Sequence, residues 1–437
     1  MKKKLWIALM ALAPLTAAAQ QKWTLDDCLS YAMKNSITLK KSELSWQTAT
    51  ETRKQSESAL LPSLSANTEH KANYRPWTDE QTDGGSITKV SYTGSYEVNG
   101  KWTVWNGNQN HNQVKLNRLS EEKAGLSVLE SANTIQESIA KVFVQILYQT
   151  DAVEVNRQTL ETARKNEERG KAMLEVGKMS KADVAQLSAQ RATDEYNLVS
   201  AESQLANYKL QLKQLLELTT EEFDVAIPTA TDEQALGLIP PLAEVYQTAL
   251  LQRPEIRKAE LDKQSGDVQL KIAKAGWLPT FSLSAGVATN TTTLGSNAWS
   301  TQMRDKLALS GGVGISIPLF DQRKTRTAVN KARIQQLTAE LDLQDKQKTL
   351  WKTIEGYWLE AQTSQQKFRA AITSVESEQT SYELLSEQFE LGLKNIVELM
   401  TGKDKLLKAQ QNLLQSKYTT ILNIELLRFY QGEKLKI

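Results

Sequence analysis

Cys28, His70 and His111 are the only cysteine and histidines among the 437 residues. They are too few and too scattered to build a Cys/His metal cluster, and one cysteine rules out a disulfide scaffold. Cys28 reads as a small buried helix residue. No Ser/His/Asp arrangement, HExxH or phosphate loop is present; Gly311, Gly312 and Gly314 precede a strand end and not a helix. These absences point away from an enzyme, and no cofactor, metal or nucleic acid is expected.

Chemistry of another kind lies in two short turns. Val176-Gly177-Lys178-Met179-Ser180 and Leu391-Gly392-Leu393-Lys394-Asn395 each put a glycine where a helix ends left-handed and a capping residue where the next begins. Asp183 and Glu398 follow three residues after the caps, as capping boxes require. Met179 and Leu393 are apolar residues expected to be exposed there.

The turns sit at matched positions because the chain is written twice. Ala32, Lys41, Glu43 and Leu44 recur as Ala249, Lys258, Glu260 and Leu261, a constant offset of 217 (249 − 32). Leu61-Pro62-Ser63 recurs as Leu278-Pro279-Thr280. Further on, Trp105, Phe143, Gly177 and Asp183 recur as Phe320, Trp358, Gly392 and Glu398, at an offset of 215 (392 − 177). The expected organisation is a leader over 1–19, a first repeat over 20–217, a linker over 218–241 and a second repeat over 242–437. The leader has Lys2, Lys3 and Lys4, a nine-residue apolar stretch from Leu5 to Ala13, and Ala17-Ala18-Ala19 before the cut. No cysteine sits at the cut, and Cys28 is eight residues too late, so no lipid anchor is expected there. Removing three of the 53 Lys and Arg leaves a charge of 50 − 51 = −1.

Each repeat reads as helix, two strands, a long helix and a shorter helix. Thr24-Leu25-Asp26-Asp27 opens the first helix with a capping box, and it runs to about Leu60; its twin spans about Leu242 to Trp277. The long helices run from about Asn106 to Val176 and from about Asp321 to Leu391. At ~1.5 Å per residue each is on the order of 100 Å long. Ile139, Ile146, Val153 and Leu160, seven apart, mark a coiled-coil seam. Helices 180–217 and 395–431 complete the repeats. In each repeat the two shorter helices, laid end to end, match the long one.

The strands are expected at 63–75, 92–105, 280–292 and 307–319. Tyr92, Gly94, Tyr96, Val98, Gly100, Trp102 and Val104 alternate with polar residues, and Leu307, Leu309, Gly311, Val313, Ile315, Ile317 and Leu319 form a second apolar face. A soluble antiparallel sheet alternates in the same way. Here the sequence offers no obvious layer to cover the strands, and Trp77, Trp102, Trp105, Phe281, Trp299 and Phe320 cluster near their ends like interfacial girdles. Mean hydropathy is −0.46, and no run of eighteen apolar residues exists, which excludes membrane-spanning helices but not membrane strands. Four strands are too few to close a barrel, so a pore must be shared between chains.

The leader, the WTLDDCLSYAMKNS opening at 23–36, the doubled helix–hairpin–helix plan and the two VG/LG turns resemble the TolC-like outer membrane factors over the whole mature chain. The resemblance implies a mainly α protein with a small β part: a long coiled-coil helical barrel, plus a β-barrel shared by a homotrimer, in the outer membrane. It implies a periplasmic adaptor and an inner-membrane transporter as partners in efflux or type I secretion. It makes Val176, Gly177, Lys178, Met179, Ser180, Leu391, Gly392, Leu393 and Asn395 the tips that meet the adaptor. It places Phe389, Lys394, Glu398 and Asp183 at a periplasmic gate. Phe389 stands for the family's tyrosine, and Thr401 stands where a second acid is common. One expectation is that Lys394 pairs with Asp183 to hold the gate shut; the other is that both acids only complete capping boxes. A non-conducting periplasmic adaptor is the alternative function.

Overall fold

The computed structural model describes residues 22–74, 76, 90–219, 223–228, 232–294 and 297–436. The leader, Trp77, the Asp83-Gly84-Gly85 turn and Gly295 lie outside them. Ten helices and four strands are found among the described residues: α1 (Leu25–Asn35), α2 (Ile37–Ser58), β1 (Ser63–Tyr74), β2 (Val90–Trp105), α3 (Gln109–Glu175), α4 (Lys181–Leu215), α5 (Asp232–Ala235), α6 (Leu242–Gln252), α7 (Pro254–Ala275), β3 (Thr280–Thr292), α8 (Trp299–Asp305), β4 (Ala308–Ser316), α9 (Lys324–Glu390) and α10 (Ile396–Tyr430). The duplication is visible in lengths alone. The pairs α1/α6, α2/α7, α3/α9 and α4/α10 have 11, 22, 67 and 35 residues in both copies.

The first helix of each repeat, expected as one piece, is two. Ser36 takes an extended backbone (ψ 125°) between α1 and α2, and Arg253 does the same (ψ 128°) between α6 and α7. In the second copy the cause is Pro254, which opens α7 and disfavours helical geometry in the residue before it. The Thr24 capping box forms: the Asp27 N–H donates to Thr24 Oγ1 at 3.2 Å and the Thr24 N–H to Asp27 Oδ2 at 3.0 Å. The Thr24 hydroxyl, which donates to Asp27 Oδ2 at 2.7 Å, and the Thr24 N–H hold the Asp27 carboxyl below its usual range. Cys28 is fully buried on α1, and burial pushes its thiol up to about 12, so it behaves as a packing residue and not a nucleophile.

The chain divides into two compact units. A helical unit comprises the described residues of Met1–Ile37, Ala132–Ala249 and Lys352–Ile437. Its core holds the expected seam, with Ile139, Ile146, Val153 and Leu160 all buried alongside Phe143, Phe368, Leu426 and Leu427. The segment expected as a linker is pinned within it. The Trp23 N–H donates to the Asp224 carbonyl at 3.0 Å, and Gln365 Nε2 donates to the carbonyls of Ala235 and Gly237.

A second unit comprises Thr38–Ser131 and Leu250–Trp351, and it carries a single antiparallel sheet in the order β1-β2-β3-β4. The register sorts its residues by face. On one face Ala66, Val98, Val287 and Leu309 lie in a row across the four strands, as do Leu64, Gly100, Ala285 and Gly311. Trp102, Leu283 and Val313 form the next row, and Trp105, Phe281 and Ile315 the last. On the other face Asn67 pairs with Glu97, Ser65 with Asn99, Lys101 with Ser284, and Gly286 with Ser310. The apolar face is bare in the chain: Leu64 is 78% exposed, Leu309 81% and Val313 74%. Among the described residues only α8, which the sequence did not announce, covers any of it. Gln302 clasps the Thr292 backbone from α8, and Thr289 Oγ1 donates to the Met303 carbonyl at 2.9 Å. Trp299 belongs to this helix and not to a strand. Among the described residues no helix is long and apolar enough to cross a membrane.

Candidate docking and gating site at the helical turns

Both turns close by the same hydrogen bonds. The Lys178 N–H donates to the Met173 carbonyl at 2.8 Å and the Gly177 N–H to Leu174 at 3.0 Å; the Leu393 and Gly392 N–H groups donate to Gln388 and Phe389 at 2.9 and 3.0 Å. This is the Schellman arrangement, and it needs a left-handed residue. Gly177 (φ +74°) and Gly392 (φ +75°) supply it. A Cβ at either glycine would meet no atom within 4 Å, so only backbone strain opposes a side chain there. Gly177→Ala or Gly392→Ala is therefore expected to cost about 1–2 kcal/mol, seen as faster amide hydrogen exchange in the last turn of α3 or α9.

The downstream helices begin with complete capping boxes. The Asp183 N–H donates to Ser180 Oγ at 3.1 Å, and the Glu398 N–H to Asn395 Oδ1 at 3.0 Å; each carboxylate accepts in return from its cap residue's N–H. Asp183 also accepts from Ser180 Oγ at 2.7 Å.

The expected Lys394–Asp183 pair is not formed within the chain. Lys394 Nζ instead reaches Glu398 Oε1 at 2.6 Å, one turn along the same helix end. A partner four residues away needs no second hairpin to come into register, and Asp183 is already engaged by Ser180. Lys394 and the Asn395 N–H together hold the Glu398 carboxyl below its usual range. The Thr401 hydroxyl donates back to the Val397 carbonyl at 2.7 Å.

Phe389 is buried, not presented. It packs with Leu187, Ile396 and Leu399, with Met179, Tyr382 and Met400 around them. This small core joins α4 from the first repeat to α9 and α10 from the second, so the turns stand on a common base. Met179 is half-buried against it, which corrects the expectation of an exposed methionine. The large apolar residues of the turns left in solvent are Val176 (68%), Leu391 (75%) and Leu393 (72%).

Two ion pairs beneath the turns escaped the sequence reading. Arg169 on α3 pairs with Glu390 on α9, both half-exposed. Lys403 on α10 pairs with Asp194 on α4, with side chains only 8% and 2% exposed. Gln190 Nε2 donates to the other Asp194 oxygen at 3.1 Å. Burial raises the carboxyl of neighbouring Asp404; Lys403 opposes that shift and Asp194 adds to it. Among the described residues no group of three or more His, Cys, Asp or Glu side chains is placed to hold a metal.

This chain is similar in sequence to known outer membrane proteins. It is 20% identical over 410 residues to the outer membrane efflux protein BepC of Brucella suis biovar 1, covering 93% of this chain and 85% of that protein. It is 24% identical over 377 residues to the outer membrane protein TolC of Vibrio cholerae serotype O1, covering 85% and 82%. Among solved structures, CusC superposes with a TM-score of 0.82 at 17% identity, covering 94% of this chain and 92% of that one. The outer membrane protein VceC of Vibrio cholerae superposes at 0.77 with 16% identity, covering 94% and 97%. The family model for outer membrane efflux proteins matches residues 28–217 and again 245–433. Two successive matches that take in both copies of the helix–strand–helix plan leave one conclusion: the chain belongs to the outer membrane efflux protein family and is a protein of the outer membrane.

Proposed function

We propose that the chain is one third of a homotrimeric channel-tunnel, which passes substrates from an inner-membrane transporter and a periplasmic adaptor to the exterior in tripartite efflux or type I secretion. The observation that carries this reading is the sheet. Among the described residues it has one bare apolar face and one polar face, and its outer strands β1 and β4 pair with nothing on their far sides. Open edges of 12 and 9 residues invite further pairing. Three copies would supply twelve strands (3 × 4), enough to close around a polar lumen with the apolar rows toward lipid. A non-conducting periplasmic adaptor has no use for such a sheet. Recovery as a detergent-extracted trimer that opens steps of conductance in planar bilayers supports the channel; a soluble periplasmic protein that never conducts overturns it.

In this reading the turns at 176–180 and 391–395 meet the adaptor, and the exposed Val176, Leu391 and Leu393 offer the apolar contact. The gate uses Lys394 and Glu398 as a pair repeated by the three-fold axis; once Lys394 lets go, the three Glu398 carboxylates form a ring that favours cations. Asp183 and Asn395 fix the helix starts, and Phe389 holds the hairpin from behind. Because the Glu398 carboxyl is lowered, its pairing with Lys394 is present above the ordinary carboxylate pKa and is lost as pH falls through the lowered value. Lys394→Ala is expected to raise closed-state conductance a few-fold at neutral pH, on the modest scale of exposed pairs, and to weaken its response to acid. Closed-state conductance equal to wild type at both pH values would remove the pair from the gate.

A further inference from the structure

The junction between the sheet and the helices holds a groove of about 710 Å³ between the start of α3 and the end of α7. Lys115 and His111 line it from α3; Lys271, Lys274, Trp277 and Leu278 line it from α7 and the turn that follows. No acidic side chain lines it. Among the described residues the three lysines make no ion pair or side-chain hydrogen bond, whereas Lys123, Lys258 and Lys263, on the same two helices, are each paired with an acid. Trp277 is 51% exposed and Leu278 44%. Trp105 and Phe281, the last row of the bare apolar face, follow immediately in the sheet. Asp267, one turn before Lys271, is occupied by Gln336 Nε2 at 2.6 Å.

Helix electrostatics account for only half of this charge. Lys271 and Lys274 sit at the C-terminal end of α7, where the helix dipole favours cations. His111 lies in the first turn of α3 and Lys115 one turn on, at the end where positive charge gains nothing from the dipole. The other repeat offers a contrast. Glu57 stands at the position equivalent to Lys274 (57 + 217) and binds both Arg53 and Arg118 at 2.7 and 3.1 Å. There the charges neutralise each other within the chain. At Lys274 the acid is absent, and the positive charge is left for something outside it.

We infer that this groove binds the anionic headgroup of a membrane phospholipid, with Lys115, Lys271 and Lys274 on the phosphate and Trp277 and Leu278 against the first acyl carbons. An unpaired basic cluster that borders an apolar band with an exposed tryptophan at the boundary matches a lipid's charge-then-chain order. A soluble anion would satisfy the lysines but leave Trp277 and Leu278 without a partner. The assignment rests on the outer-membrane location and adds a lipid partner that the channel reading does not require.

The test is a lipid titration of the full-length protein in non-ionic detergent, read by native mass spectrometry, with phosphatidylglycerol and zwitterionic phosphatidylcholine as probes. Wild type is expected to retain phosphatidylglycerol at least about tenfold better, from roughly fivefold per lysine at a membrane surface. The triple variant Lys115→Gln/Lys271→Gln/Lys274→Gln should lose that preference, and Trp277→Ser should weaken both lipids. All four side chains are solvent-exposed, so the fold is expected to survive, and circular dichroism checks it. Wild type without preference, or a folded triple variant that keeps it, overturns the assignment. Inorganic phosphate displacing the lipid at equal concentration marks a free-anion site and also overturns it. Planar-bilayer conductance separates this result from the channel reading: a triple variant that conducts normally but has lost the lipid preference supports the groove, whereas a wild-type protein that never conducts counts against the channel alone.

Discussion

Lys403→Met alone is expected to destabilise the helical unit by about 3–5 kcal/mol, whereas the double variant Asp194→Leu/Lys403→Met should be close to neutral. The asymmetry follows from burial. The Asp194 and Lys403 side chains are 2% and 8% exposed, and among the described residues Asp194 has only Gln190 as a second partner. With the ammonium removed, Asp194 would be a carboxylate in a dry interface beside Asp404, whose own carboxyl is already raised by burial. Replacing both groups removes the desolvation cost along with the attraction. The readout is hydrogen exchange of α4 and α10 amides, with denaturant midpoints by circular dichroism. A single variant that loses less than about 1 kcal/mol would show that water already reaches the pair. The pair also breaks the symmetry of the duplication. The twin positions, at the 215 offset, are Ala409 and Ser188, so the first-repeat hairpin is tied to the second by a charge contact that has no counterpart. If the turns act as the proposed gate, their opening has a built-in limit. The exposed Arg169–Glu390 and Lys394–Glu398 contacts can exchange with water, and the buried pair below them cannot do so cheaply.

What the sequence made legible was whatever chemistry is local. The left-handed glycines at 177 and 392, the caps at 24, 180 and 395, and the seven-residue seam from Ile139 to Leu160 each depend on residues within a few positions of one another, so their types and spacing suffice. The strands were readable because alternation is a period-two signal, and the ladder put Tyr92 to Trp102 of β2 and Leu309 to Ile315 of β4 on one face; Leu307, Ile317 and Leu319 fall outside β4, and a register shift after Thr103 sets Trp105 instead of Val104 opposite Phe281. The break at Ser36 was not readable. Its equivalent, Arg253, precedes a proline, but Ile37 stands where the first copy would need one (254 − 217), so no proline dictates the bend there. Internal likeness between the copies could have carried the proline's message back to the first.

Lys394 shows the opposite difficulty. Its expected partner lay on another hairpin, 211 residues away (394 − 183), while the acid it binds lies four residues on and had already been assigned to the cap. One carboxylate has two oxygens, and Glu398 uses both: Oε1 for Lys394 and Oε2 for the Asn395 N–H. Asp194 and Lys403 were invisible for a related reason. In helices rich in charge, two more charged residues look like solvent face, and only tertiary packing shows that they are inside. The same holds for the lysines at the sheet junction, whose meaning lies in the acids that fail to reach them.

Val313→Arg and Ser310→Arg place the same charge three residues apart on β4, on opposite faces of the sheet, and the outcomes should differ sharply. Val313 is 74% exposed and stands in the row with Trp102 and Leu283; Ser310 pairs with Gly286 among polar residues. If the apolar rows meet lipid, arginine at 313 costs roughly 2–4 kcal/mol per chain near the bilayer midplane. Multiplied over three chains, that is enough to prevent assembly in the outer membrane. Arginine at 310 enters water in a lumen, so insertion should be retained, and the added ring of positive charge should shift the reversal potential in a salt gradient toward anions. Outer-membrane fractionation reads the first effect and planar-bilayer recordings the second. Because side chains alternate strictly along a strand, the face of each residue is fixed by the register and cannot be adjusted to rescue a wrong assignment. Equal insertion of the two variants would mean that lipid does not cover the Val313 face, and the shared barrel would have to be given up even though both long helices and both turns stayed as they are.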